Sequence, residues 1–201
     1  MIIYIDESGS FTIPTTNSSS ISCVAGLIIP EHQSEEIFRK FAELKKGLAL
    51  GVGERKGSEL NEDQISQIIA LLNKFNVVLE ISAIDMGLHP QTMLEQFRAQ
   101  QAANMVKNLT QEHHPQFVSA LYQMKKEIEE MSYPLFVQAV ISVTVISQIL
   151  EIALVYYALQ APEELGAFKW VIDAKGHKIT TYQVVEKVEL LNPFSSNCVL
   201  T

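Results

Sequence analysis

Tyr4-Ile5-Asp6-Glu7-Ser8-Gly9 sets two adjacent carboxylates directly behind a short apolar run, residues 2–5. A run of β-branched and aromatic residues reads as a buried strand. The acids then sit where a core strand meets solvent, and Ser8-Gly9 turns the chain. A carboxylate at such a point is costly unless something compensates it. A divalent cation is the usual compensation where further acids converge. Adjacent strand residues point to opposite faces, so a regular strand presents only one of the two to a shared ion. Asp6 reads as that ligand. Glu7 is a second ligand or a helper if the strand bends at Ser8-Gly9. An acidic pair that merely opens a turn is the plainer alternative.

Trp170-Val171-Ile172-Asp173 repeats the pattern of an apolar strand ending in an acid. Lys175 follows two residues on, placed to pair with Asp173 or to contact an anionic substrate. The plainer reading is a turn, Asp-Ala-Lys-Gly, with Gly176 at the bend. Two strand-end acids together say more than either alone, because adjacent strand ends bring both into one site. The polar run Glu54-Arg55-Lys56-Gly57-Ser58-Glu59-Leu60 reads from its spacing as a solvated loop. Its chemical reading makes Lys56 a phosphate contact and Glu59 a metal ligand. Gly57-Ser58 lacks the further glycines and helix start of a phosphate loop. His113-His114 beside Pro115 suits a helix cap or a surface. Asp85 follows an apolar strand and either approaches the acids or closes a turn. His177 is a remote candidate for a base, and Ser8 has no histidine partner for a nucleophilic triad.

These residues need a scaffold, and the composition supplies one. The chain has 201 residues, 47% hydrophobic and 19% charged, enough for one domain with a sizeable core. Its net charge of -8 argues against binding nucleic acid through a broad basic surface. It does not exclude a nuclease, whose clustered acids add to the negative sum. Cys23 and Cys198 have no metal-ligand spacing and read as free thiols in a reducing cytosol. Met1 runs straight into a strand, which leaves no room for a targeting segment, so the expected location is cytoplasmic.

The pattern predicts strands over 2–5 and 21–29, a hairpin joined by a long polar loop. A charged amphipathic helix follows over 31–50. Asn61 caps a helix over about 62–74. Residues 77–84 alternate as a third strand. Pro90 opens a helical region reaching about 131, broken near His113-His114-Pro115. Residues 134–160 form a long apolar helix, 168–172 a fourth strand, and 180–191 a last helix stopped by Pro193. The whole reads as a single α/β domain, with helical insertions over about 31–75 and 90–131.

Residues 134–160 are long enough to span a bilayer, and Glu151 is their only charge. At 100° per residue, Thr144, Ser147, Gln148 and Glu151 fall on one face. A core helix with one polar edge fits that pattern better than a membrane span.

Three stretches together resemble a known family. Ile3-Tyr4-Ile5-Asp6-Glu7-Ser8-Gly9, Lys56-Gly57-Ser58-Glu59-Leu60 and Val171-Ile172-Asp173-Ala174-Lys175 resemble the domain-of-unknown-function family numbered 3800, across essentially all of the chain. The resemblance implies a ribonuclease H-like mixed sheet with Asp6 as the central acid of its first strand. Glu7 is that acid's neighbour, and Asp173 is the acid at the end of strand four. It implies a nuclease that hydrolyses phosphodiester bonds with two Mg²⁺ or Mn²⁺ ions about 4 Å apart. Asp6, Asp173 and Glu59 then hold metal, Glu7 assists, and Lys56 and Lys175 meet the nucleic acid. The resemblance further implies a fifth strand and a C-terminal helix bearing another acid in a Gln-x-Ala-Asp-like motif. The sequence reaches Thr201 without that motif. Either the chain is a shortened one or another chain completes the site. The alternative function is a catalytically silent ribonuclease H-like module used in assembly. An unfinished sheet exposes an edge and an apolar face, so a homo-oligomer is expected, with no membrane partner.

Overall fold

The sheet begins as the apolar runs suggest. In the computed structural model, which describes residues 1–15, 18–48 and 56–172, β1 (Ile2–Ser8) and β2 (Ile21–Ile29) pair antiparallel. Their register runs from Ile2 opposite Ile29 to Ser8 opposite Cys23. The expected hairpin with a long loop is present, but β1 outlasts its apolar run. Asp6 and Glu7 lie inside the strand and not beyond its end, because β2 continues to offer ladder partners, Ala25 and Val24. β3 (Val78–Asp85) pairs antiparallel with the other side of β2. β4 (Lys169–Ile172) lies parallel to β1, from Ile2 opposite Lys169 to Ile5 opposite Ile172. The order β3-β2-β1-β4 is a four-stranded mixed sheet.

Five α-helices accompany it among the described residues. α1 (Glu31–Gly47) follows Pro30, with Glu31 in its first turn and Lys45 and Lys46 in its last, where each charge suits the helix dipole. α2 (Glu62–Leu72) starts on the expected cap. Asn61 Oδ1 accepts from the Gln64 amide at 2.9 Å, and Gln64 Oε1 accepts from the Asn61 amide at 3.0 Å. The helical region after Pro90 splits into α3 (Gln91–Val106) and α4 (Pro115–Glu130). His114 caps α4 by accepting the Gln116 amide, and His113 stacks on Phe117. The predicted helix over 180–191 lies outside the described residues.

α5 (Tyr133–Gln160) is the hub of the core. Val145, Ile149, Ala153 and Tyr157 form its buried edge, and Ile3, Ile5, Val24, Ile28, Trp170 and Ile172 meet it from the sheet. Each such Val, Leu or Ile contributes roughly 1.5–3 kcal/mol by leaving water. Gly26 makes room for α5 against β2, since a Cβ there would lie 2.0 Å from Ile149 Cδ1. Thr144, Ser147, Gln148 and Glu151 are all exposed, so the polar edge read from the sequence is real. By length and composition alone α5 also qualifies as a membrane span.

A candidate acid site on the first strand

Alternation along β1 separates the two acids. Ile3 and Ile5 point toward α5, while Tyr4 and Asp6 point to the other face. Tyr4 meets Phe38 of α1 there, edge to face, with ring centres 6.4 Å apart. Asp6 is exposed and Glu7 half-buried. The Glu7 amide donates to Asp6 Oδ1 at 2.9 Å, which folds the Asp6 carboxylate back along its own backbone. On one side Asp6 faces Ala25 of β2. On the other, the described ladder with β4 stops at Ile5 and Ile172. Asp173, Lys175 and His177 lie outside the described residues.

The turn after the acids is fixed by Gly9. Its φ is +103°, in the region that favours glycine, and an added Cβ would lie 2.4 Å from Ser22 Oγ and 2.7 Å from Ser22 Cα. Buried Ser22 accepts the Phe11 amide through Oγ at 3.0 Å. Phe11 itself has a φ of +53°, a costly conformation for a bulky residue. Its ring is buried in the core, and that burial offsets the backbone cost. The chain therefore does turn at Ser8-Gly9, as its small residues suggest.

Lys56 precedes a 3₁₀ turn, Gly57–Glu59, and Glu59 closes it. Both side chains are exposed on the segment leading to α2. Among the described residues, no three or more His, Cys, Asp or Glu side chains are grouped so as to hold a metal ion. Asp6, Glu7 and Glu59 thus do not make such a group by themselves.

Asp85 takes the turn role. Its Oδ1 accepts the Ser20 amide at 2.8 Å and the Gly87 amide at 2.9 Å, and Oδ2 accepts the Ser19 hydroxyl at 2.8 Å. These bonds tie the entry to β2 to the exit of β3. They hold the carboxyl below its usual range, the Ser20 amide contributing most. Sequence reasoning passed over Glu164, which is 5% exposed and pairs with the N-terminal ammonium. No side-chain motif marks that pair, because its cation belongs to the backbone.

Comparison of this chain with protein-family models, with curated proteins and with solved structures found no match in any of the three.

Proposed function

We propose that this chain is a divalent-metal-dependent nuclease of the ribonuclease H-like class. The observation that carries the reading is the parallel register of β1 and β4, with Ile5 opposite Ile172. Each of those residues is followed directly by an aspartate, Asp6 and Asp173. The reading takes the two acids, each the next residue after a paired isoleucine, as partners in one site. Their carboxylate oxygens are the donors that Mg²⁺ or Mn²⁺ prefers. Asp6 fits such an ion in chemistry and in its exposure on an open face, while the described residues add no three-acid group. The fit therefore rests on Asp173 joining Asp6.

Bound ions of this kind supply an activated water and stabilise the departing oxygen of a phosphodiester. Asp6 and Asp173 would hold them. Glu7 or Glu59 would assist, and Lys56 or Lys175 would contact the phosphates of the nucleic acid. Gly9 fixes the turn beyond Asp6, so the acid is held on a rigid strand.

The test is calorimetric titration of the full chain with Mn²⁺, beside a cleavage assay on RNA, DNA and hybrid duplexes. Saturable Mn²⁺ binding that Asp6→Ala and Asp173→Ala each abolish is expected, with cleavage lost in Asp6→Asn. Cleavage that survives Asp6→Asn sinks the assignment. The acidic net charge of -8 favours a second reading, a catalytically silent module of the same class. A wild-type chain that neither binds Mn²⁺ nor cuts supports that module.

A further inference from the structure

β3 closes the described sheet on one side, since the order runs β3-β2-β1-β4. Its ladder with β2 advances residue for residue, from Asp85 opposite Ile21 to Val78 opposite Ile28, so no bulge interrupts it. Backbone groups point alternately to the two sides of a strand. One step past the ladder, the Met86 amide donates to the Ser20 carbonyl at 2.8 Å. Ile84, Ser82 and Glu80 therefore bond toward β2, and the N–H and C=O groups of Leu79, Ile81 and Ala83 point away from it. Among the described residues no strand pairs with that side. Edges are commonly guarded by lysine, proline, a bulge or an inward charge. β3 has no lysine, proline or bulge, and Glu80 is its only charge before the closing Asp85. Leu79 and Ile81 are 54% and 56% exposed.

We propose that this edge pairs antiparallel with the same edge of a second copy, joining two sheets into one about a two-fold axis through Ile81. In that register Ile81 meets Ile81, Leu79 meets Ala83 and Glu80 meets Ser82. Leu79, Ile81 and Ala83 then exchange all their outward backbone bonds. A shift of two residues sets Leu79 opposite Asp85, or Ala83 opposite Val77 before β3 begins. The register is thus self-complementary, with apolar residues facing apolar ones and no like charges directly opposed. A strand pair alone falls short of the roughly 800 Å² per partner that a lasting dimer buries. α5 supplies the rest. It lies beneath β2 and β3 alike, so its axis stands about one strand spacing, ~4.8 Å, from the two-fold. Two copies of α5 then run about 10 Å apart, the distance of packed helices. Val143 and Leu154 lie on one flank of its buried edge, Val155 and Leu159 on the other, and all four are exposed. Either flank therefore brings apolar surface to the seam, which a lone partner strand would leave wet. Charge agrees, because β3 and α5 together hold only Glu80, Asp85 and Glu151 in a chain of net charge -8. Most of the repulsion between two copies is thereby kept away from the contact.

Sedimentation velocity of the full chain, from micromolar to near-millimolar, should show a dimer of the 22.5 kDa chain that dissociates on dilution. Ile81→Lys sets two ammonium groups face to face on the axis, at a side chain exposed enough for a single chain to tolerate it. It should weaken the dimer by about tenfold or more. Met93→Lys on α3, at a similarly exposed side chain, should leave it unchanged. Glu80→Gln removes the one like-charge approach across the seam, a diagonal about 7–8 Å long, and should tighten it. Amide hydrogen exchange on the unaltered chain gives a check free of any folding defect. The amides of Leu79, Ile81 and Ala83 should gain protection as concentration rises, while β2 protects those of Glu80, Ser82 and Ile84 throughout. A monomer at every concentration overturns the proposal. So does a dimer that Ile81→Lys leaves intact, or protection of Leu79, Ile81 and Ala83 in a chain that sediments as a monomer.

Discussion

The ammonium of Met1 and the carboxylate of Glu164 form a buried ion pair 2.8 Å long between residues 163 apart in sequence. Glu164 Oε2 also accepts the Glu31 amide at 2.8 Å, and Oε1 lies 2.6 Å from His32 Nδ1. The ammonium donates in addition to the Ala167 carbonyl at 2.9 Å. One carboxylate thus joins the start of β1, the start of α1 and the approach to β4. Removing one partner leaves the other charge buried and unpaired, which costs about 3–5 kcal/mol. Glu164→Gln should lower the free energy of urea unfolding by about 3 kcal/mol. Acetylation of the N-terminal amine should lower it comparably. A change within the error of the measurement for either form would show the pair to be incidental.

The same pair sets a pH dependence. Burial pushes the Glu164 carboxyl up, but the Met1 ammonium and the Glu31 and His32 groups outweigh it and hold it at about 2, against an ordinary 4.5. A carboxyl with a depressed folded value binds its proton more readily in the unfolded chain. Its contribution is therefore complete above the ordinary value and is lost as pH falls from there toward about 2. Unfolding curves across that window should show wild type losing its advantage over Glu164→Gln. A constant gap between the two is the contrary result.

Gly26→Ala tests the packing of α5 on β2. The new methyl meets Ile149 Cδ1, the far end of a side chain that is able to move. Overpacking of this kind costs about 1–3 kcal/mol. Ile149→Val removes the offending atom at its own cost of about 0.5–1.5 kcal/mol. The double variant should be more stable than the sum of the two losses predicts, as expected for residues in contact. Simple additivity in chemical denaturation would place the two apart.

Gly9→Ala meets backbone at Ser22 and a left-handed φ, so no rotamer change relieves it. A loss of about 1–3 kcal/mol is expected. Ser22→Ala strips the Phe11 amide of its acceptor and costs about 1–3 kcal/mol by a different route. Thermal melts of the two single variants and the double check both figures. A neutral Gly9→Ala would mean that the loop relaxes freely.

Asp85→Ala should lower the melting temperature more than Asp85→Asn, which keeps one acceptor oxygen for the amides of Ser20 and Gly87. Since the Asp85 carboxyl is held below its usual value, its support is present above the ordinary carboxylate range and fades as pH falls through the lowered one. Equal melts for wild type and Asp85→Ala at neutral pH would remove Asp85 from the turn.

Alternation made β3 legible, because its residues divide between a packed face and a second face. The long apolar run of α5 and its polar edge were legible for the same reason at helical spacing. The continuation of β1 through Asp6 and Glu7 was not, since a polar pair carries no strand signal and only the facing Val24 and Ala25 extend the ladder. Pro115 marked the start of α4, and Asn61 that of α2, through local capping chemistry. Glu164 was hidden because it sits between Pro162 and Gly166 in what reads as a solvated turn. The parallel pairing that sets Ile172 beside Ile5 was not legible in the sequence. Pairing across such a distance leaves no trace in either local pattern.

The pairing of β1 with β4 also imposes an order on synthesis. β1, β2 and β3 are complete once residue 85 has left the ribosome, but the slot beside β1 waits for residues 169–172. Until then Ile2 to Ile5 present an unfilled strand edge. Contacts of such separation form slowly, and an open edge invites pairing with another nascent chain. The earliest of the described strands is among the last to be secured, so the hazard for this protein lies in the interval before its fourth strand exists.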